Sequence, residues 1–153
     1  MLILGWFGVY GPVALGAVGS VIGCATAGQA AIGAMIDTEV GHGRFVGIAA
    51  MPSSQVIYGI VIMFTLDQGP FDAPTAAGLF AIGGAAGVAL LISAIYQGQC
   101  CAGAIHAAKL KPEIFGLALA PAAIVEGFAV FAFIFALVVS ASLPGPTVVP
   151  VTP

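Results

Sequence analysis

Charged side chains are scarce in this sequence of 153 residues, which contains three lysines and arginines and six aspartates and glutamates. Charged residues make up 6% of the chain, whereas a soluble domain usually carries about 25%. A surface facing water cannot be built from so few charges. No basic run is present to bind nucleic acid, and the net charge of −3 is too small to indicate a charged partner. The 61% of hydrophobic residues and a mean hydropathy of +1.18 instead predict an integral membrane protein, solvated by the lipid bilayer.

Cysteine is also rare. Cys24, Cys100 and Cys101 all lie in stretches of small apolar residues, and none has the spacing or polar company of a zinc or disulfide site. We therefore expect them to be small packing residues.

Long apolar runs fill most of the chain, at residues 6–36, 45–66, 75–106 and 115–142. Each exceeds the ~20 residues needed to cross a bilayer. The first run has no basic region before it and no evident cleavage site, so it is interpreted as a membrane helix rather than a removable signal. The fold class predicted is an all-α membrane protein with four transmembrane helices.

The two halves of the chain resemble each other. GQAAIGAMI at residues 28–36 matches GQCCAGAIH at 98–106, and each is followed by a polar loop and a helix that contains Pro52 or Pro121. This duplication predicts two tandem hairpins, residues 1–70 and 71–142, followed by a proline-rich tail at 143–153. The first and third helices are rich in glycine and alanine, which favours close helix packing in lipid. We expect them to form the inner layer of a closed oligomeric ring, with the bulkier second and fourth helices outside.

The basic residues predict the orientation. Arg44, Lys109 and Lys111 lie in or beside the first and third polar breaks, whereas the middle break has Asp67 and Asp72 and no base. The positive-inside tendency therefore predicts that the loops between helices 1 and 2 and between helices 3 and 4 are cytoplasmic, with both termini outside.

Glu126 is the one acidic residue well inside an apolar run. Eleven residues after the start of its run, it should lie ~16 Å into a bilayer core of ~30 Å. A charge there costs at least ~2.5 kcal/mol, so an ion-carrying role is favoured over a simple hydrogen bond between helices.

Polar residues on the second and third helices complement this carboxylate. Met51, Ser54, Gln55 and Tyr58 share one helical face, and Gln97 lies deep in the third run. In the repeat Gln55 corresponds to Glu126, so the first hairpin carries an amide where the second has the acid. Oxygen donors with one negative charge, and no imidazole or thiolate, are typical of a site for a hard monovalent cation.

These motifs resemble a known family. The pattern P-x-x-Q-x-x-Y-G at 52–59, the Gln-Gly pair at 97–98, the K-P-E loop at 111–113 and the V-E pair at 125–126 are similar to those of the fused four-helix rotor-ring subunit (subunit K, the proteolipid) of bacterial V-type sodium-translocating ATPases. The resemblance covers nearly the whole chain except the tail.

The resemblance implies a sodium site and its partners. The implied ligands are Glu126, Gln97, Gln55, Ser54 and the backbone carbonyl of Met51, with Tyr58 as a lock that donates to Glu126. The family often has threonine at the position of Ser54 and leucine at that of Met51, and both changes keep the ligand atom. Further implications are a homo-oligomeric ring in a bacterial cell membrane, a stator subunit beside it and central-stalk subunits at the cytoplasmic loops. The chain itself would be non-catalytic.

Other functions are also compatible with parts of the pattern. A rotor ring of the same type could carry protons, which need only the carboxylate and one hydrogen-bond partner. A small proton-coupled transporter would also use a duplicated hairpin and a lone Glu126, although the glycine-rich inner helices leave little room for a substrate. A membrane anchor would leave the set of Gln55, Gln97 and Glu126 unexplained.

Overall fold

The computed structural model describes residues 2–143 as four long helices joined by short connections. The helices are α1 (Leu2–Ile36), α2 (His42–Leu66), α3 (Ala73–Leu110) and α4 (Pro112–Ser140). All four are long and apolar enough to cross a membrane, and no strand occurs between residues 2 and 143, so the predicted fold class is confirmed. Of the predicted tail, residues 144–153 lie outside the described residues.

The helices begin between two and four residues before the apolar runs that predicted them. Capping explains this at the start of α3, where Asp72 Oδ1 accepts the backbone N–H of Thr75 at 2.9 Å and Pro74 occupies the first turn. Hydrogen bonds from Thr75 also hold the pKa of Asp72 below its usual value. At the other end, α3 continues to Leu110 and stops because Pro112 follows shortly after.

The two bulkier helices are irregular near their prolines. In α2 a 3₁₀ turn, Met51–Ser53, joins the α-helical segments His42–Ala50 and Ser54–Leu66. In α4 a 3₁₀ turn, Pro112–Ile114, and a short helical turn, Phe115–Ala118, precede the main segment Ala120–Ser140. Pro52 and Pro121 lack the N–H that would bond the preceding turn, which accounts for tighter or interrupted turns beside them.

The helices pack in two layers. The glycine-rich α1 and α3 lie against each other along their length, with α2 mainly on α1 and α4 mainly on α3. The α1–α3 contact depends on glycine, because a methyl group on Gly83 would overlap the Gly8 carbonyl and one on Gly98 would overlap the backbone of Gly23. This is the predicted arrangement of thin helices on one side and thick helices on the other.

Both predicted cytoplasmic connections lie at the same end of the bundle. Lys109, near the end of α3, forms an ion pair with Asp37, which follows α1. The guanidinium of Arg44 lies over the rings of Phe45 and Phe115, 4.9 and 5.7 Å from their centres, and so links α2 to α4 at that end.

Two apolar clusters fill the bundle, and a polar layer separates them. One cluster includes Ala27 of α1, Ile48 of α2, Cys101 of α3 and Ala122 of α4. The other lies toward the opposite end of each helix, and its members are Val9, Ile62, Leu66, Leu79, Ala86, Leu90, Ala129 and Ala136. The predicted site residues occupy the level between these clusters. Of the three cysteines, Cys101 is buried, as expected of a packing residue, whereas Cys24 and Cys100 are partly exposed.

Candidate ion-binding site

Glu126 lies at the midpoint of α4, fourteen residues from each end of Pro112–Ser140. Its carboxylate is partly buried and accepts two hydrogen bonds from other helices. Tyr58 Oη of α2 donates to Oε1 at 3.2 Å, and Gln97 Nε2 of α3 donates to Oε2 at 3.0 Å. Each carboxylate oxygen therefore has a donor, which offsets part of the cost of a charge in this apolar setting.

The two buried glutamines extend the network from α4 across α3 to α2. Gln97 turns its amide nitrogen to Glu126, so its Oε1 faces the other way and accepts from Gln55 Nε2 at 2.9 Å. Both side chains are 0% exposed. Buried amides are costly unless they are hydrogen-bonded, so each glutamine fixes the orientation of the other.

Three oxygen atoms cluster at the end of this chain of bonds. Ser54 Oγ lies 3.2 Å from the Met51 carbonyl oxygen and 3.3 Å from Gln55 Oε1. The Met51 carbonyl accepts from the backbone N–H of Ser54 and from its hydroxyl, whereas Gln55 Oε1 has only that shared hydroxyl beside it at this end. The 3₁₀ turn Met51–Ser53 produces the arrangement by bringing the Met51 carbonyl beside the first turn of the following helix. A hydroxyl, an amide oxygen and a backbone carbonyl this close together are the kinds of ligand that a hard cation takes.

The position of Tyr58 is fixed by its ring as well as by its hydroxyl. The ring stacks on Phe133 of α4, with centroids 5.3 Å apart and an interplanar angle of 28°. Phe133 follows Glu126 by about two helical turns, so it lies on the same side of α4. The stacking contact therefore holds the phenol beside Glu126.

The structure adds Ser93 of α3 to the site, a residue that was not among those predicted. Its hydroxyl is buried, donates to the Val125 carbonyl oxygen at 3.0 Å and lies 3.5 Å from Gln55 Nε2. Its spacing in the sequence could have indicated this role, because Ser93 precedes Gln97 by four residues and so lies on the same helical face.

All six predicted site residues belong to one connected network. It runs from the Met51 carbonyl through Ser54, Gln55 and Gln97 to Glu126, and Tyr58 closes it. The contributing helices are α2, α3 and α4 of a single chain. The ion-binding role of these residues stays a prediction.

Comparison with known proteins gives two findings. The model of the family described as the C subunit of ATP synthase matches the chain twice, over residues 7–66 and 80–139, so that each match covers most of one hairpin. A protein of Methanocaldococcus jannaschii named A-type ATP synthase subunit K is 35% identical in an alignment 154 positions long, which covers 91% of this chain and 68% of that protein. The two successive family matches confirm the duplication that the sequence predicted.

Proposed function

The chain belongs to the family of the ATP synthase C subunit, with two family repeats in one polypeptide, and on that premise we propose that its ring carries sodium ions across the membrane. Family membership makes the chain a non-catalytic rotor proteolipid, a multi-pass membrane protein that assembles into a ring and carries ions. Membership of this family also argues against the alternative that the chain is a small-molecule transporter. Beyond family membership, we propose the sodium specificity and the set of ligands.

The oxygen cluster around Ser54 is the observation that carries the choice of sodium. A proton would need Glu126 and one partner such as Tyr58, and it would make no use of the oxygens of Met51, Ser54 and Gln55. Hard cations of the size of Ca²⁺, which Na⁺ nearly matches, are held by oxygens at ~2.3–2.6 Å, so ligand atoms at right angles to each other lie ~3.3–3.7 Å apart. The separations of Ser54 Oγ from its two neighbours, 3.2 and 3.3 Å, are close to that range.

Charge balance supports a monovalent ion. Glu126 supplies the one acidic group of the network, and the other donors of the predicted ligand set are neutral. A site loaded with one sodium ion is therefore neutral and can turn through lipid, whereas the empty site carries a charge that costs several kcal/mol at mid-membrane. This difference would couple rotation of the ring to ion occupancy.

The cycle requires partners outside this chain. A stator subunit would exchange the ion at Glu126 with one side of the membrane at a time, and central-stalk subunits would dock on the connections that contain Asp37 and Lys111. With one carboxylate per four helices, the ring carries fewer ions per turn than a ring of the same size with one per hairpin. This favours pumping against a steep gradient, since each charge costs ~2.3 kcal/mol per 100 mV. The cytoplasmic side of these connections and the bacterial source stay predictions.

Carbodiimide labelling tests the proposal. Dicyclohexylcarbodiimide attacks protonated carboxyls in apolar surroundings, so Glu126 should be the modified residue in purified rings. Added sodium should suppress the reaction because the ion stabilises the charged form. In Gln97→Leu, Glu126 should still be labelled, but a much higher sodium concentration should be needed to suppress the labelling. Gln99→Leu is the matched control, since Gln99 is exposed on the same helix, and it should behave as wild type.

Two results would contradict the proposal. Modification at Asp67, Asp72 or Glu113 and never at Glu126 would show that the carboxylate is wrongly assigned. Labelling of Glu126 that responds to pH but not to sodium would identify a proton-carrying ring.

A further inference from the structure

Ser93 occupies a junction between the two helices that carry Gln55 and Glu126. It is 5% exposed, and its hydroxyl contacts the backbone of α4 and the side chain of α2 at once. The contact on α4 is the carbonyl of Val125, the residue that precedes Glu126. The contact on α2 is the amide nitrogen of Gln55, at the longer distance of 3.5 Å.

Counting hydrogens fixes the direction of both contacts. A serine hydroxyl has one hydrogen, and the Val125 carbonyl has none, so the hydrogen of Ser93 points to Val125. Toward Gln55 the oxygen of Ser93 is therefore an acceptor, and only the NH₂ side of the Gln55 amide fits against it. Gln97 Oε1 also accepts a hydrogen bond from the Gln55 NH₂ group, at 2.9 Å, and so favours the same orientation of the amide. Gln55 Oε1 is left on the side of Ser54, within the oxygen cluster.

We propose that Ser93 is a positioning residue for ion binding: its hydroxyl hydrogen is used by the Val125 carbonyl, so its oxygen orients the Gln55 amide. This inference rests on the proposed function, in which Gln55 Oε1 is a sodium ligand. Ser93 itself is not a ligand. Without its hydroxyl, the reversed amide of Gln55 is less disfavoured, and reversal would direct an NH₂ group at the cation.

The proposal predicts separate effects on sodium and on protons. Proton loading needs Glu126 and its partners Tyr58 and Gln97, whose bonds do not include Ser93. Ser93→Ala should therefore weaken sodium binding and leave the pH dependence of Glu126 labelling in the absence of sodium unchanged. A loss of packing alone would alter both properties together.

The chain offers a matched control for this substitution. Ser20 of α1 is 6% exposed, and its hydroxyl has no hydrogen-bond partner in the part of the chain that the structure describes. Ser20→Ala thus removes the same atom from a similarly buried helical position without breaking a bond. Ser93→Thr keeps the hydroxyl and should retain most of the sodium affinity.

The experiment measures carbodiimide labelling of Glu126 in assembled rings of wild type, Ser93→Ala, Ser93→Thr and Ser20→Ala. The sodium concentration that halves the labelling should rise about three- to tenfold in Ser93→Ala, which is the loss of one hydrogen-bonded contact. It should stay near the wild-type value in the other two variants. If Ser93→Ala rings do not assemble, Ser93→Cys replaces the hydroxyl by a thiol, which is a weaker acceptor as well as a weaker donor, and should show the same direction of change.

Equal sodium protection in wild type and Ser93→Ala overturns the inference, as does an equal shift in Ser20→Ala or a changed pH profile without sodium. If wild-type labelling ignores sodium altogether, the proposed function fails and the role of Ser93 fails with it. Comparison of wild type with and without sodium thus separates the two failures.

Discussion

The two inner helices differ at the positions that meet the polar layer. Along the repeat, with its spacing of 70 residues, Gly23 and Ala27 of α1 correspond to Ser93 and Gln97 of α3. Ala27 is fully buried in an apolar cluster, and Gly23 packs on the backbone of α3 and on the side chain of Pro52. Ser93 and Gln97 instead bond to α4 and to Gln55.

The difference shows how two similar hairpins produce one site. The first hairpin has no carboxylate at this level, and its inner helix has Gly23 and Ala27 where the second has Ser93 and Gln97. Its Gln55 bonds to α3, and its Tyr58 bonds to Glu126. The first hairpin thus provides side chains to the carboxylate of the second, and the two hairpins form one polar network per chain.

Substitution of Glu126 tests this division of roles with the largest expected effect. Glu126→Gln keeps the volume, removes the charge and replaces one acceptor oxygen by an NH₂ group, which can donate to Tyr58 Oη. Gln55 shows that an amide is tolerated in this layer. The ring should assemble, whereas ion transport and the coupled part of ATP hydrolysis should be lost. Native mass spectrometry and transport in vesicles measure these two properties. A variant that pumps at the normal rate would rule out Glu126 as the carrier.

The inner-helix contact gives a second test, of intermediate size. Gly98→Ala places a methyl group against the backbone of Gly23, while its repeat equivalent, Gly28, has no atom within 4 Å in the chain. Overpacking costs about 1–3 kcal/mol, so Gly98→Ala should lower the thermal stability of the ring and Gly28→Ala much less. Equal losses in the two variants would show that the hairpins are not distinguished by this contact.

Of these three tests, substitution of Tyr58 should have the smallest effect. Tyr58→Phe removes the hydrogen bond to Glu126 and keeps the ring that stacks on Phe133. One such bond in a membrane protein contributes about 0.6–1.4 kcal/mol, so sodium affinity should fall by about three- to tenfold. Tyr96→Phe, at an exposed position of α3, is the control. Unchanged affinity in Tyr58→Phe would remove the tyrosine from the site and confine the contribution of the first hairpin to Met51, Ser54 and Gln55.

Much of the fold was predictable because the bilayer imposes strong rules on sequence. Long apolar runs, their lengths and the duplicated GQ segments identified four helices and two hairpins. The helix ends were less accurate, because hydropathy does not register caps such as Asp72, which extend a helix past its apolar run.

The candidate site was predictable where polar residues interrupt apolar runs. Gln55, Gln97 and Glu126 are conspicuous for that reason, and the structure joins them in one network. Ser93 was missed because a single serine is common in membrane helices, and its role depends on two other helices. The orientation of the Gln55 and Gln97 amide groups could not be predicted from the sequence either, because it depends on which donors and acceptors the fold brings next to them.

Direct binding of radioactive sodium to the purified ring tests the central claim most directly. The account predicts saturable binding of one ion per chain at millimolar sodium near neutral pH, because only the second hairpin has a carboxylate at the level of the polar network and the first hairpin contributes to the same site. Binding should be strongly weakened in Gln97→Leu. No binding by wild type, equal binding by Gln97→Leu or two ions per chain would contradict it.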